Sequence, residues 1–206
     1  MDLSKLKLSG KTRNEKDLLG EKEIPIEYYF GIQTQRALEN FSISRTKLFH
    51  YPQFIDALAD VKEGAALANR DLGILDSSGA IIEACKKIKN GKRHEHFVVD
   101  MVQGGAGTST NMNINEVVAN RALEILGHKK GEYKYCHPNN HVNLSQSTND
   151  AYPSAMKIAF YRYIGDLIKS LERLVEAFEI KSKEFSHVIK MGRTQLQDAV
   201  PMTLGQ

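Results

Sequence analysis

SAMKIAFYRYIGDLIKSLERLVEAFEIKSKEFSHVIKM, residues 154–191, contains no proline and only one glycine, Gly165. Its apolar residues recur at intervals close to 3.5, which predicts a long amphipathic helix with a narrow apolar seam. The seam residues are Ile164, Ile168, Leu171, Val175, Phe178 and Phe185. About 32 helical residues would extend roughly 45–50 Å at 1.5 Å per residue. A domain of this size cannot bury such a seam alone, so we expect it to pack against other helices or other chains.

Shorter helices are predicted before this segment. An apolar spacing of three and four begins after Pro52, at Ile55, Leu58, Val61, Ala65 and Ala68. A second helix is expected over residues 77–89, capped near Ser77 or Ser78 and ended by Asn90-Gly91. A third is expected over about 113–126, ended by Gly127. Glycine, proline and paired asparagines predict an irregular segment over 128–143.

These patterns predict a mainly α protein of two parts. Residues 1–150 form a mostly helical amino-terminal domain, and residues 151–206 form the incomplete beginning of a long central helical bundle. Residues 1 to about 25 are polar and charged, so we expect them to be loosely packed. The last residues, PMTLGQ from 201 to 206, are interpreted as the start of another helix.

Composition excludes several classes of function. The chain has 206 residues, 28 Lys plus Arg and 25 Asp plus Glu, and a net charge of +3, with both signs dispersed. Dispersed charge argues against nucleic-acid binding, which needs a clustered basic face. No apolar run of about 18 residues and no signal-peptide core occur, so we expect a cytoplasmic protein without membrane contact. Cys85 and Cys136 lack metal-ligand spacing and are expected to be reduced thiols.

The segment QGGAGTSTNMNINEVVANRA, residues 103–122, joins a glycine-rich loop to a predicted helix. Gly104, Gly105 and Gly107 would allow backbone N–H groups to approach an anion at the positive end of the helix. Neither the P-loop lysine nor the third glycine of the dinucleotide pattern is present. A purely structural turn remains an alternative, although the hydroxyl and amide side chains of 108–115 favour a ligand.

Two more polar segments follow. In SQSTNDAYP, residues 145–153, Ser147, Thr148 and Asn149 fit either a plain helix cap or a carboxylate site at a helix end. In GRTQLQDAVPMTLGQ, residues 192–206, the potential donors are Arg193, Thr194 and Gln195. Hydroxyls and amides, without a metal-ligand cluster or a Ser-His-Asp arrangement, suit a small dianion bound without metal or cofactor. Isolated histidines such as His94, His96, His128 and His187 are interpreted as surface or packing residues.

In sequence and order, these three segments resemble the aspartase/fumarase superfamily, as do EYYFGIQTQRALENF at 27–41 and HPNNHVN at 137–143. QSTND and TQLQDAVPMTLGQ resemble its aspartase branch in particular. The resemblance covers nearly the whole chain. It implies a largely α-helical homotetramer whose active sites combine segments of three subunits. It also implies a lyase that eliminates ammonia from L-aspartate, a dicarboxylate, to give fumarate without a cofactor.

The resemblance also implies roles for individual residues. Thr108, Ser147 and Thr148 match positions that bind the substrate carboxylates, and they would stabilise the enediolate formed when a proton leaves the neighbouring carbon. Asn149 and Gln195 would orient the amino group, and Thr194 would contribute to substrate binding. These six residues form the predicted site, and no metal is expected in it.

Two departures from the family pattern stand out. The general base of the family is a serine in a GSSxMPxKxN loop, and that motif does not occur in these 206 residues. We therefore expect the chain alone to be inactive. Asn140 stands where relatives commonly carry Asp, which leaves the role of His137 open. One alternative is a class II fumarase, whose usual sequence motifs at these positions are Ser-Ser-Asn-Asp and Thr-His. The other is a non-catalytic fragment that keeps the fold.

Overall fold

The computed structural model of this chain describes residues 7–206, which form two compact units divided after Phe160. The predicted mainly α class is confirmed. In chain order, the elements are β1 (Thr12–Asp17), β2 (Gly20–Pro25), α1 (Ile32–Asn40), α2 (Pro52–Asp71), α3 (Ser78–Lys89), α4 (Thr108–Ile125), α5 (Thr148–Glu184), β3 (Ile189–Thr194) and β4 (Gln197–Thr203). The division between the units falls inside α5, ten residues after the boundary that the sequence predicts at 150.

The predicted helices α2 and α3 are confirmed, and they pack against each other. Pro52 occupies the first turn of α2, where its missing N–H has no helical partner to lose. Gly91 adopts a φ of 75° just after α3, which only glycine does readily. The buried face of α2 differs from the predicted stripe beyond Leu58. It continues through Lys62, Ala66 and Asn69, whereas Ala68 is exposed.

Helix α4 begins at Thr108, so the predicted start near 113 is wrong by about five residues. Thr and Asn are weak helix formers because their side chains compete for backbone groups. Here most of those side chains bond to other parts of the fold, which removes the competition. Val117, Val118 and Leu123 are fully buried, and α4 packs against α1, α2 and α3. Helix α4 is therefore the centre of the first unit.

The expectation of loose packing near the amino terminus is wrong for the segment 12–25, and its part on residues 1–6 lies outside the described residues. Strands β1 and β2 form an antiparallel hairpin in which Glu15 and Ile24 are buried. Arg13 donates hydrogen bonds to the carbonyls of Pro25, Tyr28 and Phe30 at 2.7–3.1 Å. The hairpin is fixed by buried charged groups, and a hydrophobic pattern does not reveal them.

Two predictions about the carboxyl-terminal part need correction. Helix α5 spans Thr148–Glu184, so it begins earlier and ends earlier than the predicted segment. Residues 201–203 belong to β4, so the predicted helix start over 201–206 is wrong. Proline is tolerated there because, in the part of the chain that the structure describes, β3 is the only strand paired with β4. Five of the six predicted seam residues are exposed in this chain, from 48% at Ile164 to 67% at Phe178, whereas Phe185 lies just after α5 and is half-buried.

The irregular segment 128–143 is confirmed, with one π-helical turn at Pro138–Val142. Short 3₁₀ turns occur at Leu48–His50 and His94–His96.

The buried core of the first unit combines Ile55 and Leu58 of α2, Ile81 and Ile88 of α3, and Leu123 of α4. Cys85 and Cys136 are buried free thiols. No helix among residues 7–206 is long and apolar enough to cross a membrane.

Asn113 gives a direct test of how α4 is held. Its Oδ1 accepts from the Val98 N–H and its Nδ2 donates to the His96 carbonyl, both at 3.0 Å and fully buried. Replacing Asn113 with Ala should lower the free energy of unfolding by about 2–4 kcal/mol, because two buried backbone groups lose their partners. Chemical denaturation measures the change, with Asn139→Ala at an exposed position as the control. A loss no larger than that of the control would contradict this account.

Candidate functional site

The first unit contains a cavity of about 820 Å³, and both α4 and α5 begin at its wall. Thr108 and Thr148, the first residues of these helices, lie in its wall. The wall consists of Lys16, Asp17, Leu18, Leu19, Ile32, Gln33, Thr108, Asn111, Met112, Glu116, Tyr133, His137, Pro138, Asn139, Asn143 and Thr148. Two helix amino termini at one cavity create a region of positive potential with unpaired N–H groups, which favours an anion.

Thr148 is held by the polar residues behind it. Asn111 Nδ2 donates to Thr148 Oγ1 at 3.0 Å and to Asn143 Oδ1 at 3.0 Å. Asn115 Nδ2 also approaches Asn143 Oδ1, at 3.3 Å. Asn111 and Asn115 are almost completely buried, so these bonds lie in a region of low dielectric and hold the Thr148 side chain in one place.

The glycine-rich loop approaches α5 closely at Gly107. Gly107 adopts a φ of 83°, and a Cβ atom there would collide with the ring of Tyr152. Gln103 ties the loop to α4, since its Nε2 donates to Thr110 Oγ1 at 2.7 Å and its Oε1 accepts from the Thr110 N–H at 2.9 Å. The absence of a side chain at Gly107 therefore allows the two helix starts to lie side by side.

Several polar side chains of the 108–115 run bond within the protein, which corrects part of the ligand interpretation. Thr110 pairs with Gln103, and Asn113 pairs with the backbone of residues 96 and 98. Asn115 donates towards Asn143. Thr108, by contrast, is exposed to the cavity. The sequence overstated the number of donors available to a ligand because it could not show which of them were already satisfied.

The six predicted site residues are not all brought together in this chain. Thr108 and Thr148 share the cavity. Ser147 is exposed outside its lining and accepts the Asn149 N–H at 3.2 Å, which is the geometry of a helix cap. Asn149 lines a separate hollow of about 260 Å³ with Gly105, Gly107 and Tyr152. Thr194 ends β3 in the second unit, and Gln195 follows it in an exposed turn at a φ of 48°. The six-residue site remains a prediction.

Carboxylates in the cavity wall are occupied by other groups. Arg36 hydrogen bonds to Asp17 at 2.7–2.8 Å and lowers the pKa of that carboxyl. Glu116 accepts from the N–H groups of Gly31, Gln33 and Thr34 at the start of α1. Burial raises the pKa of Glu116 to about 7, and the nearby Glu15 adds to the rise. Asp17 stays ionised near neutral pH but its charge is offset by Arg36, and the raised pKa leaves part of Glu116 protonated, so an incoming anion meets less negative charge.

His137 has a structural role in this chain. Its Nδ1 accepts the N–H groups of Asn139 and Asn140 at 3.0 and 3.3 Å, which caps the π-helical turn. Burial, together with His141, lowers the pKa of His137. His96 is a packing residue, as predicted: it is 1% exposed and lies beside the Tyr29 ring at a centroid distance of 5.0 Å. Residues 7–206 contain no group of three His, Cys, Asp or Glu side chains placed to hold a metal ion.

The sequence interpretation missed Lys62, which lies fully buried behind the cavity. Lys62 Nζ donates to Asn143 Oδ1 and Gln146 Oε1, each at 2.9 Å. A signal was present in the sequence, because Lys62 follows Leu58 by four residues on the apolar face of α2. It was overlooked because a lysine at such a position usually extends its charge to solvent.

Comparison with known proteins identifies the family of this chain. A protein family described as lyase matches residues 20–206. The chain belongs to this lyase family. A member from Helicobacter pylori, described as an aspartate ammonia-lyase, is 62% identical over 196 residues, covering 94% of this chain and 42% of its own length. The aspartate ammonia-lyase of Escherichia coli is 52% identical over 202 residues, covering 97% of this chain and 42% of its own length.

Two solved structures share the fold of this chain. A fumarate lyase:delta crystallin from Brucella melitensis matches with a TM-score of 0.85 and 56% identity, over 95% of this chain and 46% of that one. A class II fumarase from Schistosoma mansoni matches with a TM-score of 0.80 and 40% identity, over 95% of this chain and 41% of that one. The chain therefore spans less than half the length of these lyases.

Gly107 provides a test of how the site is positioned. Replacing it with Ala should destabilise the protein more than Gly127→Ala, because both positions need a positive φ but only Gly107 faces a ring. The left-handed backbone alone costs about 1–2 kcal/mol for a residue with a Cβ atom. The difference between the two variants in chemical denaturation isolates the Tyr152 contact. Equal losses would show that Tyr152 does not constrain the loop.

Proposed function

We propose that the protein containing this chain is an aspartate ammonia-lyase, which eliminates ammonia from L-aspartate to give fumarate. The observation that carries the proposal is the pair Thr108 and Thr148, which begin two helices and line one cavity. Relatives described as aspartate ammonia-lyases, at 52–62% identity, support it independently.

The chemistry explains why neutral donors are suitable. Removing a proton from the carbon beside a carboxylate places additional negative charge on that carboxylate, giving an enediolate. Groups that bind this charge more strongly than they bind the ground state lower the barrier. Helix amino termini and hydroxyls do this without first having to lose a proton. We assign this role to Thr108, Ser147 and Thr148.

The leaving amino group requires a separate set of contacts. We assign its orientation to Asn149 and Gln195, and we assign a contact with the substrate to Thr194. Asn149 lies one residue beyond Thr148 at the start of α5, next to the glycine-rich loop. Thr194 and Gln195 are exposed at the end of β3, where they are free to complete a site on another copy of the chain.

We propose that the active protein is a homotetramer with shared active sites in the cytoplasm. The apolar seam of α5 supports this assembly, because Ile168, Leu171 and Val175 are about half exposed in the single chain. An uncovered seam of this length is unfavourable in water, and packing against helices from the rest of the protein or from other copies would bury it.

The general base is proposed to lie outside these residues. No GSSxMPxKxN motif is present in the sequence, and the chain spans 42% of the length of its aspartate ammonia-lyase relatives. The 206 residues would then provide the anion-binding part of the site, while a serine loop from elsewhere in the protein would remove the proton. On this proposal, the chain by itself is inactive.

A class II fumarase is the second candidate, because a fumarase of that class shares the fold at 40% identity. The two reactions differ in whether ammonia or water is removed. The sequence differs from the usual fumarase motifs at two positions, which are Thr148 after Ser147 and Gln195 after Thr194. Both differences favour the aspartase.

The first test is the reaction itself. We expect the full-length protein to release ammonia from L-aspartate, with fumarate appearing at the same rate. Coupled detection of ammonia and the ultraviolet absorbance of fumarate measure the two products separately. A protein that hydrates fumarate readily and ignores L-aspartate would establish the fumarase alternative instead.

The second test addresses Thr148. Thr148→Val keeps the shape of the side chain but removes the hydroxyl, and kcat should fall by more than about tenfold, since losing one donor to a developing anion typically costs 100- to 1000-fold. Ser154→Ala, at an exposed position in the same helix, is the matched control and should remain active. Light scattering checks that both variants retain the oligomer of the unaltered protein. Unchanged kinetics in Thr148→Val would remove this residue from the site.

A further inference from the structure

Lys62 is an uncommon residue for its position. It is 0% exposed in the middle of α2, and no carboxylate in the described range 7–206 forms an ion pair with it. Its two hydrogen-bond acceptors are the neutral amide oxygens of Asn143 and Gln146. Burial lowers the pKa of this amine to about 7. A positive charge placed here therefore has only neutral groups as its hydrogen-bond acceptors among residues 7–206.

A hydrogen-bond relay, formed by Lys62, Asn143, Asn111 and Thr148, connects the buried amine to the cavity. Asn143 Nδ2 donates to the Gln146 carbonyl at 3.1 Å, so the oxygen of the Asn143 amide faces Lys62 Nζ and accepts from it at 2.9 Å. The same oxygen accepts from Asn111 Nδ2 at 3.0 Å, which fixes the amino group of Asn111 towards the site. That amino group also donates to Thr148 Oγ1. Because Thr148 Oγ1 is then an acceptor on its inner side, its own hydrogen is available to a ligand.

We infer that Lys62 is a positioning residue, which acts through Asn143 and Asn111 to make the Thr148 hydroxyl a hydrogen-bond donor to the bound dicarboxylate. The inference rests on the proposed function, because it concerns the residues that hold the Thr148 side chain of the same anion site. Asn143 Oδ1 accepts from both Lys62 and Asn111, and Asn111 also donates to Thr148, so Asn143 and Asn111 connect the buried amine to the hydroxyl. A negatively charged ligand at Thr148 would balance the charge of that amine.

The alternative is that Lys62 merely fills space in the core. The two roles make different predictions for paired substitutions, because residues that act through one another are not additive whereas independent ones are. Lys62→Met keeps the length of the side chain and removes its donors. Thr148→Val removes the end of the relay. The double variant shows whether the effect of Lys62→Met on activity depends on the hydroxyl of Thr148.

The experiment measures kcat and KM for L-aspartate in the full-length protein and in these three variants. We expect Lys62→Met to reduce kcat/KM by about 10- to 100-fold, the range typical of groups that orient active-site ligands, with most of the loss in kcat. In the Thr148→Val background the same substitution should have an effect of less than about threefold. Additive losses would overturn the inference.

Two further variants guard against a simple folding defect. Asn111→Ala leaves Lys62 with both of its acceptors but interrupts the relay, so it should reproduce the kinetic loss while the protein remains folded. Full activity in a folded Asn111→Ala protein would overturn the inference even if Lys62→Met fails to fold. Lys89→Met is the charge-matched control, because Lys89 is paired with Asp60 and Glu63 and has no bond to the relay.

Succinate binding separates this inference from the proposed reaction. If the unaltered protein binds succinate but releases no ammonia from L-aspartate, the proposed reaction is wrong. The four succinate affinities then decide the inference: non-additive losses support it, and additive losses overturn it. A protein that binds no dicarboxylate overturns both.

Discussion

The close approach of the glycine-rich loop to α5 is the constraint on which the candidate site depends. Gly107 lies against the ring of Tyr152, where any Cβ atom would collide, and its positive φ directs the chain into α4. Because of this contact, Thr108 and Thr148 begin their helices beside the same cavity. The positive ends of two helices are thereby combined, and each adds to the potential felt by an anion between them.

Buried polar residues give the site its rigidity. Asn111 and Asn143 connect Thr148 to the interior, and Asn113 fastens the segment before the loop to α4. Buried polar groups are costly when unpaired, so a network of this kind is stable in few arrangements. These bonds also determine which hydrogens and lone pairs face the cavity, and among the described residues they leave Asn111 Oδ1 and Asn115 Oδ1 without a hydrogen-bond partner. Stability and ligand orientation are therefore coupled in this unit.

The sequence predicted the helices best where apolar spacing was regular and a glycine ended the element, as in α3, whose end is marked by Gly91. It failed for the β1–β2 hairpin, because Arg13 and Glu15 stabilise it through hydrogen bonds to residues distant in sequence. At the site, Thr108 and Thr148 were found through their segments, whereas Lys62 was not. Its role depends on contacts with Asn143 and Gln146, about 80 residues away, which no local pattern encodes.

The amino-terminal hairpin is far in sequence from the predicted ligand groups, yet it influences the cavity that contains Thr108 and Thr148. Glu15 in β1 accepts the Ile32 N–H at 2.9 Å, beside the N–H groups that Glu116 holds, so one carboxylate from β1 and one from α4 fix the start of α1. Ile32 and Gln33 in turn form part of the cavity wall. Deleting the hairpin to shorten the protein for expression would therefore alter the shape of the cavity. A natural substitution at residue 15 would have the same effect, although that residue lies outside the predicted site.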